Sequence, residues 1–473
     1  MSRLSPEADR VLADLDALRH TFRGELITAA DGARYEAARV MYNAMYDRRP
    51  ALIARATGAA DVISVIGYAR ERGLRLAVRG GAHSVAGHST LEDGLVLDLG
   101  AMKGLRVDPE RRRVRAQAGL TWGEIDRETQ AFGLATTGGR VSSTGLVGFV
   151  LGSGSGWLER MHGWACDNLV AADVVTADGR LVVASDDTYP ELLWGLKGGG
   201  GNFGVVTELE LRLHPIAPLV LGGLLFHPMA RAVEVLRFHR DWMARQPREI
   251  GGAVVLGTAP PAPFIPAELR GQPAVVVVAV AFGPLDAGTA ALAELRAFGP
   301  PAYDGVGPMP YVALQSMLDA ANPPGRRNYW RSENLTGLPD TAIEALAARG
   351  RALTSPWSSL IVQVCGGAIA DVPEAATPLG GRAAPWQYHC YGSWTEGEDA
   401  THIAWVKATE AALAPWSARG MSLNFVSDFG HDRVRAAFGD TTYRRLAALK
   451  RRWDPDNFFA LNQNIVPAAD DLR

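Results

Sequence analysis

Residues 74–89 read LRLAVRGGAHSVAGHS, an apolar run that breaks at Arg79-Gly80-Gly81 and continues into Ala82-His83-Ser84. A strand followed by two glycines and a turn lets successive backbone N–H groups converge on an anion. Taken alone, the same stretch also reads as a tight β-turn. His83 and His88 are five residues apart, which suits neither one strand face nor one helical turn. No Asp, Glu or Cys cluster completes a ligand set around them, so no metal is expected.

Working outward, residues 1–45 read as helical, and Asp61 to Arg72 as a helix leading into the run just quoted. Downstream, LVLDL (95–99) and RRVRAQAG (112–119) read as short strands. TWGEIDRETQAFG (121–133) opens with Thr121 and has Glu124 three residues on, a capping box. ADVVTADGRLVVAS (172–185) carries Asp178-Gly179 at its centre, a two-residue hairpin signal. Short strands, hairpins and helices in this order predict α+β rather than a doubly wound sheet.

Of 52 glycines, a dense set falls in 138–156 (GGRVSSTGLVGFVLGSGSG) and another in 198–204 (GGGGNFG). Interleaved with apolar residues, they mark backbone that approaches something closely or takes positive φ. GGGGNFG is not a dinucleotide fingerprint: it follows the helix-like PELLWGLK and leads into a strand, the reverse of the required order. After Pro215 the character changes. Residues 219–226, 274–282, 359–367 and 385–394 read as strands with amphipathic helices between them, which predicts a sheet covered by helices. The tail reads as a helix stopped by Asp454-Pro455, then a loop rich in Asn.

Composition fits a globular chain of two to four domains: 473 residues, 47% hydrophobic, 21% charged. The net charge of −3 gives no basic face for a nucleic acid. Four Lys against 44 Arg reads as a coding bias. Three cysteines are too few for a disulfide framework and point to a reducing compartment. The N-terminus lacks a signal-peptide core, and no run approaches the roughly 18–20 apolar residues of a membrane span. A cytoplasmic protein with no membrane partner is expected.

The succession RGGAHSVAGHS, GLVGFVLGSGSGWLERMHGWACDN, VVTADGRLVVAS, LLWGLKGGGGNFGVVTELELRLHP and RRWDPDNFFALNQNI resembles the berberine-bridge-enzyme-like flavin oxidases. These belong to the vanillyl-alcohol-oxidase / p-cresol-methylhydroxylase superfamily. The resemblance implies a two-part FAD-binding domain plus a substrate domain whose antiparallel sheet is covered by helices on one face. The implied boundaries are a helical segment 1–44, an FAD domain 45–216, a substrate domain 217–420 and a returning segment 421–467.

It further implies that Arg79, Gly80, Gly81, Ala82, His83 and Ser84 form a pyrophosphate loop, with His83 bonded to the flavin 8α-methyl. His88, Gly139, Thr144, Gly145, Gly148, Gly152, Gly154, Gly156 and Val206 would line the dinucleotide, and Asn462 and Asn464 would return to the flavin ring. Bicovalent members carry a cysteine where this chain has Val141, so a single tether is expected; Cys166 lies in a different motif and reads as a buried thiol. Thr144 would stand beside flavin N5.

The family's usual activity is hydride abstraction from a C–H next to O or N, with a side chain taking the O–H or N–H proton and O2 reoxidising the flavin. Many members use a tyrosine in Y-x-N-Y as base; here the stretch reads Ser422-Leu423-Asn424-Phe425. Replacements are sought in the strand 386–391, whose period of two puts Gln387, His389 and Tyr391 on one face and Trp386, Tyr388 and Cys390 on the other. His389, Tyr391, Tyr388 and Thr144 are therefore the catalytic candidates, and Tyr329, Gln387, His389 and Asn424 the substrate candidates, with Glu333 a further pocket residue. The expected partners are O2 and a small or medium-sized alcohol, sugar or secondary-metabolite intermediate. The alternatives are a dehydrogenase with another electron acceptor, which anaerobic turnover would reveal, and a flavin-bearing binding protein, whose flavin no substrate would bleach. Substrate identity and oligomeric state are not legible.

Overall fold

A computed structural model describes residues 5–418, 420, 422–428 and 430–469. Residues 1–4 of the N-terminal segment and Met421 at the head of the returning segment lie outside them.

The strand Leu52–Arg55, the helix Ala59–Glu71 and the strand Leu76–Arg79 form a parallel crossover. Leu95–Asp98 then inserts between the two strands, parallel to both. The segment before residue 45 is not wholly helical. Helices cover Pro6–Leu12, Leu15–Thr21 and Ala33–Arg39, but Glu25–Ile27 pairs antiparallel with Leu52–Arg55. Ile27 is buried there, so a hydrophobic anchor and a free sheet edge outweigh the helical surroundings. Leu76–Arg79 ends the other edge, and its C-terminal end delivers the loop Gly80–Ser84.

A second sheet is antiparallel throughout, in the order Leu105–Asp108, Arg113–Gln117, Val205–Arg212, Leu169–Val175, Leu181–Ser185. The turn at Asp178-Gly179 joins the last two strands, with Gly179 at φ 80°. Helix Ala59–Glu71 packs between the two sheets, and its Val62, Val65 and Ile66 enter their shared core. The C-terminal helix Asp440–Trp453 closes that core. Its buried Lys450 donates to the carbonyls of Asn202 (2.7 Å) and Phe459 (3.0 Å) and pairs with Asp454 at 2.6 Å. Asn202 in turn donates to the Gln463 carbonyl and accepts from Ile465 N–H. The Asn-rich tail is thereby clasped to the GGGGNFG loop.

Among the described residues the largest sheet has nine strands, all antiparallel. Its long members run Leu219–Pro228, Pro273–Ala281, Ile250–Thr258, Ser359–Val364, Trp386–Trp394, Arg327–Leu335. Helices Ala232–Met243, Leu285–Ala297, Asp340–Arg351 and Asp399–Leu413 cover one face. Val254, Val277, Val362, Tyr388 and Cys390 fill the layer between. Period two sends their neighbours Val255, Val276, Ile361, His389 and Tyr391 to the opposite face, which roofs a cavity over the two smaller sheets. Among the described residues no helix is long and apolar enough to cross a membrane, and no group of three His, Cys, Asp or Glu could hold a metal.

Candidate active site

The cavity has a volume of about 1040 Å³ and two ends of different chemistry. One end is walled by backbone. Gly80, Gly81, Ala82, His83 and Ser84 line it from the edge strand; Gly139, Thr144, Gly145, Gly148 and Gly152 from the first glycine-rich stretch; Gly200, Gly201, Gly204, Val205 and Val206 from the second. The two loops nearly touch: a Cβ on Gly81 would lie 2.5 Å from Gly145 N and Cα. Ala82 takes φ 58°, a left-handed conformation that costs a non-glycine residue about 1 kcal/mol or more. Its carbonyl accepts from Tyr42 N–H at 3.0 Å, which helps to hold that turn.

His83 stands at the head of this wall. Its ring stacks on Tyr42 (centroids 4.2 Å, interplanar angle 18°), and its Nε2 lies 3.0 Å from Ser143 Oγ. Burial pushes its pKa down to about 4 against a weak opposing pull from Asp319, so the imidazole is neutral at pH 7. Asp319 is itself occupied by Ser142 N–H (2.8 Å) and Oγ. His88 also lines the cavity; burial pushes its pKa down to about 4, and its Nε2 has no partner among the described residues.

The other end lies under the large sheet. Strand register sets Trp330 opposite Tyr391, and Ile361 opposite both His389 and Val255. Leu224, Val276, Val278, Phe264 and Met317 extend this apolar lining. His389 is only 5% exposed, packs edge-on against Phe425 at 4.4 Å, and keeps Nε2 unpartnered. Burial, assisted by the Arg140 charge, lowers its pKa to about 3. Tyr391 stacks on Trp330 at 3.9 Å, and burial holds its phenol well above the ordinary range. Arg140 also faces the cavity, neutralised by buried Glu159 at 3.1 Å. Gln363 donates to the Ser155 hydroxyl (2.9 Å) and to Glu159.

Several residues expected in the site stand elsewhere. Arg79 is buried in an ion pair with Asp98 (2.9 Å) beneath the loop it was expected to join. Gly154 and Gly156 are small because Ala165, Phe149 and the Gly138 carbonyl press on them, and neither lines the cavity. Asn464 is displaced from the cavity by the tail's path; Asn462 and Gln463 line it instead. Tyr388 and Tyr329 alternate onto the helix face, where Tyr329 donates to Asp428 at 2.7 Å. Glu333 shares that face and meets Arg433. Gln387 donates to Asn334 beside a small side pocket. Asn424 reaches the cavity, but its amide is spent on the Gly148 carbonyl (3.0 Å) and on Gly154 N–H (3.1 Å). All three cysteines are buried and none lines the cavity.

Sequence reasoning missed Tyr42, Trp330, Arg326 and Phe425, all cavity residues. Tyr42 belongs to the segment read as helical. Next to it, fully buried Asn43 donates to the carbonyls of Val85 (3.0 Å) and Asn328 (2.8 Å) and accepts from Asn328 N–H, joining the loop below to the sheet above. Trp330 alternates with Tyr329, and the register with Trp386–Trp394 decides which of the two faces the cavity.

The residues present fit an FAD. A channel of glycine backbone leaves no room for side chains at its narrowest points, and His88 Nε2 and Asn462 Oδ1 are buried without partners along it. Comparison with known proteins agrees. Residues 50–185 match the FAD binding domain family, and residues 422–466 the family described as berberine and berberine like. The (R)-6-hydroxynicotine oxidase of Paenarthrobacter nicotinovorans is 31% identical over 464 residues, covering 94% of this chain and 97% of the relative. The crystal structure of 6-hydroxy-D-nicotine oxidase from Arthrobacter nicotinovorans superposes with a TM-score of 0.85 at 28% identity, covering 94% and 98% of the two chains. A berberine-bridge-enzyme-like structure from Arabidopsis thaliana (TM-score 0.82, 20% identity, 94% and 98% covered) shares the fold. With near-complete mutual coverage and both family regions in order, this chain belongs to the berberine-bridge-enzyme-like FAD-linked oxidoreductases.

Proposed function

We propose that the protein is an oxidase that takes a hydride from a C–H next to O or N of a small or medium-sized metabolite, with O2 as terminal acceptor. Its FAD is tethered by one bond, through His83. The observation that carries this is the position of His83: a neutral imidazole, fixed by Tyr42 and Ser143, at the junction of the glycine channel and the apolar chamber under His389. Nucleophilic attachment requires an unprotonated nitrogen, and a pKa of about 4 supplies it at pH 7.

Bound FAD supplies the two-electron acceptor. The chain's own residues bind, orient and manage one proton. Gly80 to Ser84 offer backbone N–H groups for an anionic group, and Gly145, Gly148 and Gly152 allow close approach. Trp330, Ile361 and Phe425 give the chamber an apolar wall. His389 Nε2 accepts the hydrogen of the substrate O–H or N–H. It is a weak base, but as hydride departs from an alcohol the remaining O–H becomes that of a protonated carbonyl, acidic enough for a weak base to take. A relative named as a hydroxynicotine oxidase keeps nitrogen-bearing compounds among the candidate substrates.

Acid precipitation of the purified yellow protein tests the tether: pigment retained in the pellet supports it, and pigment released intact refutes it. Rapid mixing of reduced enzyme with O2 tests the acceptor. Thr144→Leu, on the cavity wall, should slow reoxidation, and an unchanged rate constant removes Thr144 from that role.

A further inference from the structure

Arg326 is 9% exposed yet lines the cavity, at its apolar end. Among the described residues its guanidinium makes one hydrogen bond, Nη1 to the Ala321 carbonyl at 2.8 Å, and no ion pair. Its Cζ stacks over the Trp357 ring at 3.8 Å, a residue exposed at the cavity's rim. The titratable groups that bear on it are the phenols of Tyr42 and Tyr391, both raised by burial and so uncharged at pH 7, and burial pulls the guanidinium below its ordinary value. Arg140, the other cavity arginine, is neutralised by Glu159. No Asp or Glu lines the cavity among the described residues.

A buried cation without a counter-ion is costly, and folding offers it none here. Tyr42, Tyr391 and Trp357 lie beside it, and the same cavity continues under the large sheet past Val255, Val276, Val278, Leu224 and Phe264, surfaces that suit a flat or aliphatic body. A polyhydroxylated sugar would strand its hydroxyls there, and a substrate ammonium would meet a like charge with no carboxylate to balance it.

We propose that Arg326 recognises an anionic oxygen, a carboxylate or ionised phenol, on an otherwise apolar or aromatic substrate, and so selects against cationic amines and sugars. This rests on the oxidase reading for its physiological meaning, but its test is a binding measurement. Calorimetric titration of the purified flavoprotein with 2-naphthoate, 2-naphthylmethanol and 2-naphthylmethylammonium compares one ring system in three charge states. The expected result is naphthoate tightest by about ten-fold or more, as a charge-assisted hydrogen bond provides. Arg326→Met should erase that preference while leaving the alcohol within about two-fold, showing the chamber intact, and Arg326→Lys should restore part of it. Tightest binding of the ammonium, a carboxylate preference that survives in Arg326→Met, or binding of none of the three overturns the proposal. A protein that prefers naphthoate but whose flavin no substrate bleaches keeps this site and loses the oxidase reading. A flavin bleached by amines alone does the reverse.

Discussion

Gly81 and Gly145 sit so close that a Cβ on either would lie 2.5 Å from the other's backbone. They come from different loops, one following the edge strand Leu76–Arg79, the other preceding the helix Leu146–Leu151. Gly145 also bridges Thr121, the cap of the helix Trp122–Gln130. Replacing Gly145 with Ala should destabilise the protein by about 1–3 kcal/mol through overpacking. It should also lower the flavin-to-protein absorbance ratio, since the loops that part are those walling the channel. A variant that melts with the wild type and keeps full pigment would show that the loops separate without consequence.

His83→Ala should leave a folded protein whose pigment, if bound, is freed by acid. Mass spectrometry of the wild-type digest should find the flavin on the peptide holding His83. An adduct on Cys166 would contradict the single tether; that thiol is fully buried, and burial raises its pKa well above the ordinary value.

Removing the imidazole in His389→Ala should slow flavin reduction by a saturating substrate about a hundred-fold, the lower range for a lost acid-base group. Because burial holds the His389 pKa near 3, the rate should show no limb assignable to this histidine between pH 5 and 8. A limb near 6.5 that vanishes in the variant would mean the ring is solvated during turnover.

Asp126 is buried in the helix Trp122–Gln130; among the described residues its carboxylate is bonded only by Gln315 Nε2, at 2.9 Å, and desolvation pushes its pKa up to about 7. The folded state holds that proton after the unfolded state has lost it, so stability falls as pH rises from about 4 to about 7 and levels above. At roughly 1.4 kcal/mol per pKa unit the loss approaches 4 kcal/mol. Asp126→Asn should therefore melt above the wild type at pH 8, with the gap closing toward pH 4. The buried histidines act oppositely: His239 and His389, lowered to about 3, cost stability as pH falls below 6.5. That acid limb should persist in Asp126→Asn, measured by thermal melts across the range.

How far the chain could be read differs between its two layers. Around His83 the chemistry is local: a strand stops, glycines follow, and a turn must form, so the loop and its channel were visible in Gly80, Gly81, Gly145 and Gly148. Under the large sheet it is not. Period two separates faces within the strand Trp386–Trp394, but nothing local says that Trp330 rather than Tyr329 shares the cavity with Tyr391. Register does, and register is set by long-range pairing. Arg79, Gly154 and Gly156 show the converse: polar or small residues inside a correct motif that serve an ion pair or close packing beside the channel. Tyr42 was hidden because the short strand Glu25–Ile27 turns its segment back across the site.

Asn43 reaches 42 residues ahead to Val85 and 285 ahead to Asn328. A chain leaving the ribosome cannot complete that stitch until roughly two thirds of it has emerged, and contacts of such separation close late. The amino-terminal arm is thus committed early in synthesis but secured late. Trimming it back past Asn43 would remove one of the fastenings between the two halves of the enzyme, leaving those of Ser142 to Asp319 and Gln363 to Ser155.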